Sequence, residues 1–258
     1  MANKFIVPNI IPPIIAHRGA PRLAPENTLA AFRMASVCGA KCVEFDVMLA
    51  ACGTPVVFHD ETLERTTFET GRVIDFPYEH LKKLDAGSWF DPIFRDEKIS
   101  PLMDVLKLLD EYQLAANIEI KTVKGKESEI TRVVLETVFE AQRQKLKIPL
   151  FFSSFSVLSL EMLREISAEA PIAYLLHDWE SDWEVISKRL RCIALNVRNE
   201  LITFETMQAL KSNGHKIFVW TINDPLRAQA LFEWGVDAIY TDVPDVMINR
   251  VPFLQNSS

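Results

Sequence analysis

The four cysteines of this chain, Cys38, Cys42, Cys52 and Cys192, form no CxxC pair and no Cys/His arrangement with metal-ligand spacing. Their pattern excludes a zinc ribbon and a disulfide scaffold. It leaves four reduced thiols, which favours a cytoplasmic setting. No apolar stretch approaches the ~20 residues of a membrane-spanning helix, so stable membrane insertion is not expected. The most apolar leader-like stretch, Phe5-Ile6-Val7 with Ile10-Ile11, is interrupted by Pro8, Pro12 and Pro13. It carries only Lys4 as a basic residue and shows no small-residue cleavage site before His17, unlike a signal peptide. A basic run is missing as well: 28 Lys and Arg stand against 35 Asp and Glu, a net charge of −7, which argues against a nucleic-acid partner. Internal repeats, low-complexity segments and a second domain are also lacking.

What is present is a chain of 258 residues, 48% hydrophobic, long enough for one α/β barrel. Short apolar, β-branched segments recur at Ile14–His17, Cys42–Leu49, Val56–His59, Ala116–Lys121, Leu150–Ser154, Ile172–Leu176, Cys192–Val197, Lys216–Ile222 and Ala238–Thr241. Amphipathic stretches separate most of them: Thr28–Cys38, Leu102–Tyr112, Glu129–Gln144, Leu158–Ala168, Trp183–Leu190, Thr203–Asn213 and Pro225–Trp234. This alternation predicts a parallel sheet, and at this length a closed (β/α)8 TIM barrel occupying residues 1–258 as a single domain. Nine strand candidates are one too many. The turn-like Ala51-Cys52-Gly53-Thr54 is too short for a helix, so Cys42–Leu49 and Val56–His59 are expected to form a hairpin. A turn centred near Cys52-Gly53 would bring His59 opposite Asp46. Residues 61–98 have weak periodicity and read as a small capping insertion over the barrel mouth.

Strand alternation decides which side chains point inward. Across Val43-Glu44-Phe45-Asp46-Val47 the two carboxylates share one face and the apolar residues the other. Asn117, Glu119 and Lys121 alternate likewise with Ile118 and Ile120. A structural barrel layer prefers bulky aliphatics inside, so these carboxylates are candidates for function. Three of them at a partly buried site need a compensating cation, and all-oxygen ligation points to Mg2+ or Ca2+. His17-Arg18-Gly19 ends the first strand: Gly19 permits close backbone approach, and Arg18 offers a fork for phosphate oxygens. His17 and His59 are candidates for a general acid and base. Together these residues suit metal-assisted attack on a phosphate ester. Trp220 either stacks on substrate or fills the barrel, while Asn27 and Thr28 are expected to cap the first helix. His177-Asp178 reads as loop.

These motifs, in their order, make the chain resemble the glycerophosphodiester phosphodiesterase family from His17 to Pro244, in its cytoplasmic bacterial form. Besides those quoted, the resemblance rests on Pro25-Glu26-Asn27-Thr28, Pro55-Val56-Val57-x-His59-Asp60, Arg65-Thr66-Thr67, Ser153-Ser154-Phe155, Trp220-Thr221-x-Asn223 and Thr241-Asp242-x-Pro244. Leu84-Asp85-Ala86-Gly87-Ser88-Trp89-Phe90 resembles the family's capping module. The resemblance implies a metal-dependent hydrolase that cleaves small-molecule glycerophosphodiesters to sn-glycerol 3-phosphate and an alcohol. It implies His17 and His59 as the acid–base pair and Glu44, Asp46 and Glu119 as ligands of one divalent cation. Arg18 and Lys121 would lie on the phosphate. Attack by the neighbouring glycerol hydroxyl, giving a cyclic phosphate, and direct attack by water are both compatible with these residues. Asn196 stands where close relatives often carry a histidine after the seventh strand. Asp96 and Ser100 also depart from the family pattern, which bears on substrate choice. Two alternatives are a lysophospholipase D acting on lipid, with Trp89-Phe90 and Ile93-Phe94 lining a groove, and a non-catalytic phosphate-binding barrel. No feature points to a particular oligomeric state.

Overall fold

The apolar, β-branched runs become nine strands: β1 (Ile14–His17), β2 (Cys42–Leu49), β3 (Pro55–Val57), β4 (Ala115–Ile120), β5 (Leu150–Ser154), β6 (Ile172–Leu176), β7 (Ala194–Arg198), β8 (Ile217–Trp220) and β9 (Ala238–Thr241). All but β3 pair in parallel in the order β1-β9-β8-β7-β6-β5-β4-β2, and β1 pairs back to β2, closing an eight-stranded TIM barrel. The computed structural model describes residues 5–8, 11–212 and 214–250. Lys4, Ile10 and Asn213, which figure in the sequence reading, lie outside them.

The helices are α1 (Leu29–Val37), α2 (Tyr78–Leu81), α3 (Leu102–Glu111), α4 (Glu127–Arg143), α5 (Val157–Ile166), α6 (Trp183–Arg189), α7 (Phe204–Ser212), α8 (Pro225–Glu233) and α9 (Pro244–Arg250). Thr28 caps α1 by accepting from Ala31 N at 3.3 Å, and the helix stops before Gly39, at φ +91°. Val43, Phe45, Val47, Ile118 and Ile120 pack outward into the main core with helix residues such as Phe32, Leu106 and Val134. Inside the barrel the lower layer is apolar, built from Ile15, Cys42, Phe151, Phe218 and small alanines. Above it the lining turns polar: Glu44, Asp46, Asn117, Ser153 and Asn196 are all buried. The barrel thus has a hydrophobic floor and a charged upper storey.

The hairpin forms, with Val47 opposite Val57 and Met48 opposite Val56. Its register differs by one residue from the expected one: Phe58 N donates to Asp46 O at 3.0 Å, so Phe58, and not His59, faces Asp46. The reason is the turn, which centres on Cys52 because Ala50 N bonds Thr54 O and Gly53 adopts φ +80°. Because β3 ends at Val57, His59 has left the ladder and alternation no longer dictates where it points. Residues 61–98 pack Leu63, Val73, Leu81 and Ala86 against Met48, Val56, Phe58 and Ile99 in an apolar cluster separate from the main core. Trp89 and Phe90 are used within this segment: Trp89 Nε1 donates to Ala86 O at 2.9 Å, and Phe90 stacks edge-on against Trp89 and Phe94.

Gly19 is the tightest point between strand end and helix. It adopts φ +89°, and a Cβ there would lie 2.7 Å from the carbonyl carbon of Ala31. Gly19→Ala is therefore expected to destabilise the fold by at least about 2 kcal/mol, since both strain and backbone overlap must be relieved. An unchanged melting temperature in that variant would contradict the close packing of this corner.

Candidate active site

The first strand-to-helix corner is built around backbone that few residues tolerate. Arg18 (φ +53°) and Asn27 (φ +57°) are left-handed, and Asn27 N closes the loop by donating to Arg18 O at 3.1 Å. This turn aims Arg18 N at Glu44 Oε2, 3.1 Å away. Asn27, expected as a helix cap, does something else: its Nδ2 donates to Asp46 Oδ2 at 2.9 Å. Thr28 alone does the capping.

Glu44, Asp46 and Glu119 each place a carboxylate oxygen within 4.8 Å of the others. Each unrelieved pair at 4.8 Å costs at least about 3 kcal/mol at an effective dielectric of ~20. Burial, then the charges of Asp46 and Glu119, push the Glu44 carboxyl well above the usual range. Burial also raises Glu119, with Asp46 adding to it and Lys121 opposing. Burial would raise Asp46 as well, but Arg18, Lys121 and His59 outweigh it and hold that carboxyl low. Lys121 Nζ lies 3.3 Å from Glu119 Oε1 and 3.7 Å from Asp46 Oδ1. Among the described residues Glu44 Oε1 is buried with no hydrogen-bond partner, and Glu119 Oε1 accepts none of good geometry, the Lys121 ammonium standing off from it. An all-oxygen set with orphaned acceptors fits a hard divalent cation.

Each imidazole has one nitrogen engaged by a carboxylate. His17 Nδ1 lies 2.7 Å from Asp242 Oδ1, and Asn223 holds Asp242 through Nδ2 to Oδ2, also 2.7 Å. His59 Nδ1 is hydrogen-bonded to Asp60 Oδ1. Burial alone would raise Asp60, but Arg65 and His59 hold it at about 2. Arg65 bridges further, donating from both terminal nitrogens to Glu26 at 2.8 Å. Glu26 in turn accepts from Arg18 Nη1 at 2.8 Å, while Arg18 Nε stands 3.5 Å from Asp46 Oδ2. A continuous chain of charge therefore runs Asp60–Arg65–Glu26–Arg18–Asp46. Burial lowers the His59 imidazole, with Arg18 and Lys121 adding to the effect and Asp46 opposing it.

All eight residues singled out in the sequence lie here. His17, Arg18, Glu44, His59, Glu119, Lys121 and Trp220 line one cavity of about 230 Å³, and Asp46 sits beneath it against Arg18 and Lys121. Trp220 is anchored as well as exposed to the cavity: Nε1 donates to Asn196 O at 3.1 Å, and Phe155 meets its ring edge-on at 5.7 Å. His177, read as loop, is in a loop but also lines this cavity, with Nε2 3.2 Å from Arg198 Nη1. Asn196 is inside β7, not after it; it donates to Tyr240 OH at 2.7 Å, and Tyr240 donates to Asn117 Oδ1 at 2.7 Å. Glu26, Arg65, Asp242 and Tyr240 escaped role assignment in the sequence. The first three lie in quoted motifs, but each has a partner in a different motif: Asp242 meets His17 across 225 residues, and Glu26 meets Arg65 across 39.

The profile of the glycerophosphoryl diester phosphodiesterase family matches residues 17–246. A glycerophosphodiester phosphodiesterase of Caldanaerobacter subterraneus subsp. tengcongensis is 35% identical over 247 residues, covering 92% of this chain and 97% of the relative. One from Bacillus altitudinis is 32% identical, covering 90% and 95%. Among solved structures, an Oleispira antarctica phosphodiesterase in complex with the product sn-glycerol-3-phosphate superposes with a TM-score of 0.89 at 33% identity. That match covers 94% of this chain and 97% of the other.

The lowered His59 value gives a direct test. In the metal-free protein its imidazole NMR signal should titrate with a midpoint below the ordinary ~6.5. Its contribution to stability should decline as pH falls from ~6.5 through that folded-state midpoint, because the unfolded chain binds the proton first. A midpoint above ~6.5 would contradict the electrostatic description of the site.

Proposed function

The chain belongs to the glycerophosphoryl diester phosphodiesterase family, and on that premise we propose that it hydrolyses glycerophosphodiesters to sn-glycerol 3-phosphate and an alcohol. One observation carries the reading: two imidazoles, each steadied at Nδ1 by its own carboxylate, line one cavity with the basic side chains Arg18 and Lys121. A carboxylate on Nδ1 fixes ring orientation and leaves Nε2 for the proton in transit. His17 and His59 form the acid–base pair. One takes the proton of the attacking hydroxyl, whether that hydroxyl belongs to the adjacent glycerol carbon or to water, and the other gives a proton to the departing alkoxide.

Lys121 and Arg18 hold the phosphate. Lys121 keeps hydrogens beyond its pairs with Glu119 and Asp46, and the Arg18 guanidinium, fixed by Glu26, has a buried Nε that makes no hydrogen bond among the described residues. Glu44, Asp46 and Glu119 hold a divalent cation, Mg2+ or Ca2+. When bound, it neutralises phosphate charge and polarises the phosphoryl oxygen. Trp220 packs against the glycerol carbons. The same reading takes the chain as one domain with residues 61–98 as its capping insertion, acting in the cytoplasm on small molecules and not on nucleic acid. Among the described residues no helix is long and apolar enough to cross a membrane. Trp89 and Phe90 are committed to packing within the insertion, which supports a small diester over a lipid.

His17→Ala and His59→Ala, measured separately, should each lower kcat at least ~10²-fold with glycerophosphocholine. Unimpaired turnover in either variant would remove that histidine from the mechanism. EDTA should abolish activity and Mg2+ or Ca2+ should restore it; full turnover in chelator would refute the role of the carboxylates as metal ligands.

A further inference from the structure

Beside Phe155 the active-site cavity has a second arm. This space of about 390 Å³ shares His59, Glu119, Lys121 and Phe155 with the inner cavity, so the two meet where the phosphate would lie. Substituents on phosphorus diverge at near-tetrahedral angles, and the two ester groups of one substrate must leave that meeting point in different directions. The inner arm is compact and lined by the buried Asn117, Ser153 and Tyr240, a match for glycerol. The outer arm is larger and reaches solvent at Glu61, which is exposed.

The charges lining the outer arm are nearly all spoken for. Asp60 is paired with Arg65 and His59, and Glu119 is paired with Lys121. Glu61 differs: among the described residues its carboxylate has no ion pair or hydrogen bond, while its backbone is fixed by Val73 N donating to Glu61 O at 2.9 Å. Across the same arm, Phe155 is 40% exposed and is braced edge-on by Trp220. A carboxylate without a counter-charge, carried on tethered backbone, and an exposed aromatic ring lining the same cavity suit an organic ammonium group.

Resting on the hydrolase reading above, we propose that the outer arm receives the leaving alcohol and that Glu61 makes it prefer cationic alcohols. The favoured substrates are then diesters of amino or quaternary-ammonium alcohols, over those of neutral polyols. Lys121, the cation on the same arm, is held against Glu119 and Asp46 and leaves the Glu61 end negative.

The test is kcat/KM for glycerophosphocholine, glycerophosphoethanolamine, glycerophosphoglycerol and glycerophosphoinositol with the wild-type holoenzyme, Glu61→Gln and Glu61→Lys. Glu61→Gln should lower the first two by about three- to tenfold, with the last two within about twofold, as expected for one exposed charge contact. Glu61→Lys should widen the loss for the cationic pair, and high salt should shrink the wild-type preference. Equal effects on all four substrates, or none, would overturn the proposal while leaving the hydrolase reading intact. An absence of turnover with every diester would fall on that reading, and the proposal would go with it.

Discussion

Charge imbalance at the barrel mouth is the constraint around which the rest is arranged. Six carboxylates, those of Glu26, Glu44, Asp46, Asp60, Glu119 and Asp242, share one network with three permanently basic side chains, Arg18, Arg65 and Lys121. With all six ionised the deficit is three positive charges, and an anionic diester would deepen it. Cancelling two of them with an ion beside Glu44, whose Oε1 has no hydrogen-bond partner among the described residues, relieves the least satisfied point in the network. Buried carboxylates lacking partners are among the costliest groups a fold can carry, so their presence here marks a site kept for chemistry.

The barrel meets this constraint through strand geometry. A parallel strand buried on both faces would ordinarily read as continuous hydrophobic residues. In β2 and β4 the outward positions keep that character, while the inward ones above the floor include Glu44, Asp46, Asn117 and Glu119. Parallel pairing with Asp46 opposite Glu119 and Glu44 opposite Asn117 then sets the carboxylates side by side. The apolar floor of Phe151, Phe218 and Ile15 supplies packing that the upper storey gives up. Arg65 ties the insertion to this site, since a single guanidinium holds both the partner of His59 and the partner of Arg18.

Much of this was legible in the sequence because it depends on short-range periodicity. The closed barrel, its surplus hairpin and the inward carboxylates all follow from period-two alternation and from the lengths of the connecting stretches. The hairpin register differs by one residue from the expected one, because the conformation of Gly53 decides whether the turn centres on one residue or between two. Asn27 has the composition of a cap, but its left-handed backbone turns it toward Asp46, which local propensity does not register. Asp242, Glu26 and Arg65 lie in recognisable motifs, yet the pairings of Asp242 with His17 and of Glu26 with Arg65 join separate motifs, which composition and spacing cannot express.

The central claim is that the cluster of Glu44, Asp46 and Glu119 is balanced by a divalent cation. Its most direct measurement is the thermal midpoint of the metal-free protein across a titration with Mg2+ or Ca2+, for the wild type and for Glu44→Gln. Binding to the folded state alone must raise that midpoint. The account predicts a rise in the wild type and none in the variant, with the metal-free variant at least as stable as the metal-free wild type. A wild-type midpoint that stays fixed at saturating cation, together with a variant that melts lower, would contradict it.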